Sequence, residues 1–349
     1  YDMLGYNGPI QEKGIPNVFN VFDLDNTKKR ATQEGWEEMT QSIFASAEVG
    51  WKSMLYLTLT GRNDWASQLA NSSTPCFFYP SVGLSGVISE MLTLPEFIDY
   101  MKVRGSFSSV GMPYPRNLTS PTYEYDEANQ QWKPKTHYPI KDLKPERTNS
   151  WELGLDMRLF KDFSLGFSWY LANTFNQTFD PKVSVSSGYS KIYLQTGYVR
   201  NSGVELSLGY GHTWNNHLHW ESNFTLSHNK NTIKDLVTSY IHPETGLPIT
   251  QNRLDVGGLG KARFILKKGG TLGDLYTQSD LKRDNSGMVE IDPSGALTTE
   301  DNLPDIKLGS VFPKANLAWN NRFEWRGISL SALFTARIGG IAYSATQAA

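Results

Sequence analysis

Hydrophobic side chains recur at every second position along much of this chain. From Trp151 the odd positions are Trp151, Leu153, Leu155, Met157 and Leu159, and between them stand Glu152, Gly154, Asp156 and Arg158. Such alternation puts every apolar side chain on one face of an extended strand and every polar one on the other. The pattern resumes after Lys161-Asp162 with Phe163, Leu165, Phe167, Trp169 and Leu171. It returns as Val204, Leu206, Leu208 and Tyr210 against Glu205, Ser207, Gly209 and Gly211. Leu218, Trp220, Phe224 and Leu226 then alternate with His219, Glu221, Asn223 and Thr225. Residues 43–49 with 51–60, and 317–325 with 328–338, read as further strand pairs, and 78–89 and 101–110 as two more strands. The segment "MLTLPEFIDY" between those two predicts one or two helical turns. About ten strands of roughly ten residues result, the length that a tilted membrane strand needs.

The connections sharpen this picture. Gly50, Lys161-Asp162, Asn215-Asn216 and Arg326-Gly327 predict tight hairpins, where Asx and Gly residues accept the required backbone angles. Between them lie long polar segments at 62–77, 111–146, 176–200 and 231–311. In an up-and-down meander this alternation puts short turns at one end of the sheet and long loops at the other. Soluble sandwiches rarely lengthen every second loop, whereas outer-membrane barrels do so habitually. The predicted fold is therefore all-β: an antiparallel up-and-down transmembrane β-barrel with short periplasmic turns and long extracellular loops. Its apolar face meets lipid. Glu152, Asp156, Arg158, Glu205 and Glu221 line a wet lumen.

Composition is consistent with such a wall. At 349 residues the chain exceeds most single compact domains, yet it contains no evident linker or like-charge run. A net charge of -2 gives no electrostatic reason to expect nucleic acid as a partner. Cys76 is the single cysteine, which excludes an intrachain disulfide framework and a multi-thiol zinc site. No apolar run reaches the ~18 residues of a membrane helix. Barrel strands carry apolar residues only alternately, so a mean hydropathy of -0.42 is compatible with them. Aromatic residues make up 13% of the chain, and Trp51, Trp151, Trp214, Trp319 and Trp325 stand near strand ends, as rings at a water–lipid boundary would and equally as strand-favouring residues do in any sheet.

The chemical motifs lead nowhere catalytic. His217 and His219 share a strand face with His212 nearby, but no carboxylate or thiol is spaced to complete a metal site. "GGLGKA" at 257–262 has Asp255 and Ala262 where a phosphate-binding loop needs Gly and a hydroxyl. "VGLSGV" at 82–87 lacks the last Gly of a nucleophile elbow. "FDLDNT" at 22–27 and the acidic stretch 280–292 do not follow calcium-loop spacing and read as solvated loops. No catalytic, cofactor or metal-binding residue is predicted, so an enzyme is not expected. The loop 112–138 holds Tyr114, Tyr123, Tyr125, Trp132 and Tyr138. These rings suit stacking on sugars or peptide side chains, and equally packing on one another.

Several segments together resemble the SusC/RagA family of TonB-dependent outer-membrane transporters from Bacteroidetes. They include "MLYLTLTGRNDWASQL" at 54–69, "FFYPSVGLSGVISEM" at 77–91, "LPEFIDYMKVRGSFSSVG" at 94–111 and "LKPERTNSWELGLD" at 143–156. "VSSGYSKIYLQTGYVRNSGVELSL" at 185–208, "GSVFPKANLAWNNRFEWRGISLSALFTARIGG" at 309–340 and "YSATQA" at 343–348 continue the series. The resemblance implies active import of a large nutrient, with a SusD-like surface lipoprotein as lid and the TonB complex as energy source. Oligosaccharide is the expected cargo and oligopeptide of RagA type the alternative; a passive porin, and a surface adhesin or soluble β-barrel binding module, are the readings outside this class. It also implies a barrel of about twenty-two strands. Residues 1–349 are then expected to be part of the barrel domain, the plug, TonB box and closing strands lying outside them.

Overall fold

The computed structural model describes residues 2–8, 24–25, 27–70, 72–115, 118, 123–126, 131–134, 137–138, 144–179, 191–214, 217–241 and 248–344. The chain divides into residues 1–41 and 42–349. In the first unit Asp2–Asn7 pairs antiparallel with Arg30–Gly35. There the Asp25 carboxylate accepts the backbone N–H of Thr27 at 2.9 Å and its hydroxyl at 2.6 Å, closing a local turn.

Ten strands form one antiparallel sheet in strict chain order. They are β1 (Thr40–Trp51), β2 (Leu55–Ala66), β3 (Cys76–Val87), β4 (Ile98–Met112) and β5 (Glu146–Leu159). The series continues with β6 (Phe163–Phe179), β7 (Leu194–Trp214), β8 (Leu218–Asp235), β9 (Ala315–Trp325) and β10 (Ile328–Ile338). The sheet is not closed: β1 and β10 are its edges. No helix among the described residues is long and apolar enough to cross a membrane.

The register explains why these sequences make such a sheet. Partners directly opposite one another share a face. One row runs from β2 to β10 through Leu55, Gly86, Val103, Leu155, Phe167, Leu206, Leu226, Leu317 and Ala336. The next row, one residue along, is Tyr56, Ser85, Arg104, Gly154, Ser168, Glu205, Ser227, Asn316 and Arg337. Period-two alternation in each strand thus becomes one row without a polar side chain beside one row that, apart from Tyr56 and Gly154, is polar. A one-residue slip anywhere would mix them. Large apolar side chains stay exposed on the first face: Leu153 is 56% accessible and Phe334 61%. A patch this wide belongs against an apolar medium.

That apolar face has edges. Toward the short turns it ends in rings: Phe163 lies 4.7 Å from Tyr210, Tyr210 5.2 Å from Trp220, and Trp220 stacks on Phe323 at 5.6 Å. Indole N–H groups on a face that meets lipid need acceptors. Trp319 donates to Ser222 Oγ at 2.9 Å and Trp220 to Asn321 Oδ1 at 3.3 Å. Toward the long loops Trp151 packs on Phe107 at 4.6 Å, and beyond them Phe175 stacks on Tyr198 at 4.7 Å among polar side chains. One step beyond Trp151 the same face turns polar. Ser109 donates to Asn149 at 2.7 Å, and Arg200 Nε to Asn173 at 2.8 Å. From Trp151 to Leu159 is roughly 27 Å along the strand at ~3.3 Å per residue. At a ~40° tilt this spans about 20 Å of depth, near the ~25 Å apolar band of outer-membrane barrels.

Apart from 88–97, which at ten residues is longer than 67–75, short connections lie at one end and long ones at the other. One end carries 52–54, 88–97, 160–162, 215–217 and 326–327, the other 67–75, 113–145, 180–193 and 236–314. Details differ from the sequence reading. Gly50 lies inside β1 and the turn falls at 52–54, because Lys52 and Ser53 take the left-handed conformation that the turn needs. Asn215-Asn216 lies outside the described residues. The helix α1 spans Ile88–Met91, ahead of most of the segment expected to be helical; Pro95 cannot continue a helix from the residues before it. The segment 231–311 is no plain polar loop. It contains a four-stranded sheet of Arg253–Leu259, Ala262–Lys267, Asp274–Thr277 and Ile306–Ser310. Leu254 and Leu266 of this insert join Leu69, Phe77, Leu118, Phe179, Val199, Ile233 and Leu236 in a buried cluster. The main buried core therefore sits at the long-loop end. By register Val199 and Ile233 stand on the polar-row face, so the loops fold over the inner side of the wall.

Candidate functional site

The polar face centres on Arg104, which sequence reasoning did not single out. Its guanidinium donates to Asp156 Oδ2 at 2.8 Å, Ser168 Oγ at 2.7 Å and Glu152 Oε1 at 3.3 Å. Gly154 makes this reach possible. It lies opposite Arg104 in the register, and a Cβ there would stand 2.6 Å from the guanidinium carbon. The "ELGLD" pattern thus provides two carboxylates on one face with a gap between them, and β4 supplies the cation that fills it. Gly203 serves Tyr170 likewise, since a Cβ would meet the phenol oxygen at 2.4 Å. The signal for Arg104 was the alternation "KVR" in β4; its partner became visible only with the β4–β5 register.

The predicted wall residues all lie on this face. Glu152 and Asp156 come together at Arg104. Glu205 stands opposite Ser168 and Ser227. With Asp156, Ser207 and Thr225 it borders a cleft of about 560 Å³. Arg158 and Glu221 are set nearer the short turns: Arg158 is opposite Ser164, and Glu221 accepts from Asn223 at 2.8 Å. Arg62 and Asp64, a further pair 2.6 Å apart, were missed because β2 runs to Ala66, into a segment read as loop.

Replacing Gly154 with Val is expected to displace Arg104 and cost about 1–3 kcal/mol as overpacking. Arg104→Gln should cost no more than ~1 kcal/mol, because the ion pairs are half exposed and screened. Urea titration of the refolded full-length protein checks both. Equal costs would place the tight contact elsewhere.

The loop aromatics divide. Tyr123 and Tyr125 fall in Tyr123–Asp126, which pairs with Gln131–Pro134 so that Tyr125 is opposite Trp132. The Trp132 side chain is 67% exposed. Tyr138 is not part of this hairpin; His137–Tyr138 pairs in parallel with Lys191–Ile192. Tyr114 is buried in the cluster at 2% accessibility, which assigns it to packing.

Other motifs resolve into structure. "GGLGKA" is a hairpin turn, with Lys261 Nζ 2.9 Å from Asp301 and 3.0 Å from Ser279 Oγ. In the acidic stretch Asp284 accepts the N–H groups of Ser286 and Met288 at 2.8 and 2.9 Å. Asp292 accepts those of Ser294 and Ala296 at the same distances. Both carboxyls are held below the usual range, chiefly by the hydroxyls of Ser286 and Ser294. These carboxylates close their own turns. His217 precedes β8 and shares no strand face with His219, while His212 Nδ1 is 2.7 Å from Asp162 and His219 Nδ1 2.9 Å from Thr213 Oγ1.

The arrangement is a wall with one apolar and one polar face, capped at the long-loop end. Among proteins of known structure it is similar to the RagAB peptide transporter, at 19% identity and a TM-score of 0.67, covering 91% of this chain and 35% of that one. The RagAB peptide importer in its open-open state gives 0.65, over 93% of this chain and 35% of that one, again at 19% identity. By sequence it is 23% identical to TonB-dependent receptor P39 of Formosa agariphila, over 81% of this chain and 25% of that protein. The chain thus spans about a quarter of that relative's length. The family model "TonB dependent receptor-like, beta-barrel" matches residues 2–286. The short turns are accordingly the periplasmic end and the long loops the extracellular end of an outer-membrane barrel, and the chain belongs to the TonB-dependent receptor-like β-barrel family.

Proposed function

We propose that the full-length protein is a SusC/RagA-type importer, carrying a large polar nutrient across the outer membrane with energy delivered through TonB. The observation that carries this reading is the pairing of an apolar row with a predominantly polar row across one sheet, in a chain of this family. Serine, glycine and paired charges give a lumen wall rich in hydrogen-bonding groups, with a cleft beside Glu205. Such a surface passes hydrated cargo without trapping it. An open sheet cannot stand in hydrocarbon with unpaired edges. In this reading residues 1–349 are part of the barrel domain, β1 and β10 pair with further strands, and the plug and TonB box belong to other parts of a longer chain. No bond is made or broken in such a cycle.

The cargo we favour is an oligosaccharide. The exposed Trp132 ring, on the extracellular side in a strand paired with Tyr123–Asp126, is suited to stacking on a sugar face. A SusD-like lipoprotein would cover these loops. An oligopeptide is the second reading, supported by the fold shared with a peptide importer. Trp132→Ala together with Tyr138→Ala is expected to slow growth on the limiting glycan about tenfold, by loss of stacking worth ~1–1.5 kcal/mol. Growth supported by peptides alone, with none on glycans, would select the second reading. Deleting the TonB partner should abolish uptake of either cargo; persistence of uptake would make the protein a passive porin.

A further inference from the structure

The periplasmic turns carry a feature that strand geometry does not ask for. A tight hairpin with two successive left-handed residues is best served by Asn and Gly. Here those positions are Lys52 and Ser53 (φ 48° and 55°), Phe160 and Lys161 (52° and 65°), and Arg326 and Gly327 (47° and 88°). Among the described residues, every left-handed residue other than Gly and Asn falls in these three turns. Each turn therefore holds a cation at a strained backbone position.

Two of these cations also lie over rings of the aromatic rim, and the third follows one in sequence. Lys52 Nζ is 4.9 Å from the Trp51 ring centre and the Arg326 guanidinium 5.5 Å from that of Trp325. Lys161 follows Phe160, which stacks on Phe97 at 5.5 Å. All three cations are exposed, and among the described residues none is in an ion pair. Beside Lys161, Asp99 accepts the Lys161 backbone N–H at 2.5 Å and Asp162 is bonded to His212. The turns join β1–β2, β5–β6 and β9–β10, so the cations are distributed across the full width of the sheet. A single protein partner would be met by adjacent turns. A lipid leaflet surrounds the wall and meets every turn.

We propose that these turns bind anionic phospholipid of the periplasmic leaflet. Lys52, Lys161 and Arg326 hold the phosphates, while Trp51, Phe160 and Trp325 lie at the glycerol level. A phosphate oxygen gives each cation the charge-assisted hydrogen bonds that water alone would otherwise supply. A ring beside the cation keeps the side chain directed along the lipid boundary.

The test uses the full-length protein in lipid nanodiscs containing phosphatidylglycerol or only phosphatidylcholine. Native mass spectrometry should find phosphatidylglycerol retained over phosphatidylcholine by at least about fivefold per site, as one cation near an anionic surface provides. The triple variant Lys52→Asn, Lys161→Gly, Arg326→Asn gives each turn a residue that it prefers. It should fold in phosphatidylcholine at least as stably as the parent, yet lose the preference. A charge-retaining variant, Lys52→Arg with Lys161→Arg, should keep it. Undiminished preference in the triple variant would overturn the proposal. So would loss of its stability in phosphatidylcholine, which would make the cations structural parts of the turns.

Discussion

Replacing Leu206 with Arg is expected to cost about 2–4 kcal/mol of barrel stability and to remove most folded protein from the outer membrane. Leu206 lies in the apolar row with Phe167 on one side and Leu226 on the other, midway between the Trp151 edge and the Tyr210 ring. A guanidinium there faces hydrocarbon near mid-depth, far from either interface, and its donors have no partner. Ser207→Arg, one position along, places the same group on the lumen face beside Asp156 and Thr225, where water and a carboxylate receive it. Its cost should stay within ~1 kcal/mol. Refolding of both full-length variants into phospholipid vesicles, read by the gel-mobility difference between heated and unheated samples, makes the comparison. Equal effects would mean that the two faces are not lipid and lumen.

The second large effect is expected at Asp274. Its side chain is fully buried, and its carboxylate accepts from Lys307 Nζ at 2.6 Å, Thr271 Oγ1 at 2.7 Å and the Thr271 N–H at 3.1 Å. Asp274→Ala leaves the Thr271 amide and Lys307 without this acceptor and should destabilise the extracellular insert by about 2–4 kcal/mol. The lower half of that range applies if Lys307, about half exposed, turns to water. Hydrogen exchange should rise across 253–310 while the strands of the wall stay protected. A rise in the wall instead would show that insert and sheet unfold together.

The same insert should be sensitive to acid. Burial raises the Asp274 carboxyl, but Lys307 and Thr271 outweigh it and hold the group below the ordinary carboxylate range. The Asp305 carboxyl is held well below that range, chiefly by Arg253 at 2.6 Å, against a raising effect of burial and with help from Lys267 at 2.9 Å. A depressed folded value means that the folded state favours the charged form. Its stabilisation is complete above the unfolded value of ~4 and is lost as pH falls through the folded values. Protection of the insert should therefore be flat above about pH 5 and decline below it.

Much of the wall was legible in the sequence. Trp151 to Leu159 and Phe163 to Leu171 declare their faces by period alone, because a strand's geometry makes every second side chain a neighbour in space. Strand ends were less visible. β2 continues through Arg62 and Asp64 and β8 through Ile233, past the point where the outward face leaves lipid and the alternation loses its contrast. Of the site residues, Glu152 and Asp156 could be placed on one face, but not beside Arg104. Their contact depends on pairing two strands that are separated by residues 113–145.

The insert escaped the sequence reading for a related reason. Its strands are short, from Asp274–Thr277 to Arg253–Leu259, and glycines at 257, 258, 260, 269, 270 and 273 break any period that would reveal them. Alternation and loop length by themselves determined a two-faced β wall with short turns at one end, since both properties are local to each strand and its connection. Only the tertiary structure decided which residues meet. Leu69, Ile233, Leu254 and Leu266 lie far apart in the chain and become a core because the extracellular loops fold over the same inner face. Arg104 reaches two carboxylates because the register sets it against Gly154. Such contacts depend on how distant segments are aligned, and no local pattern encodes that.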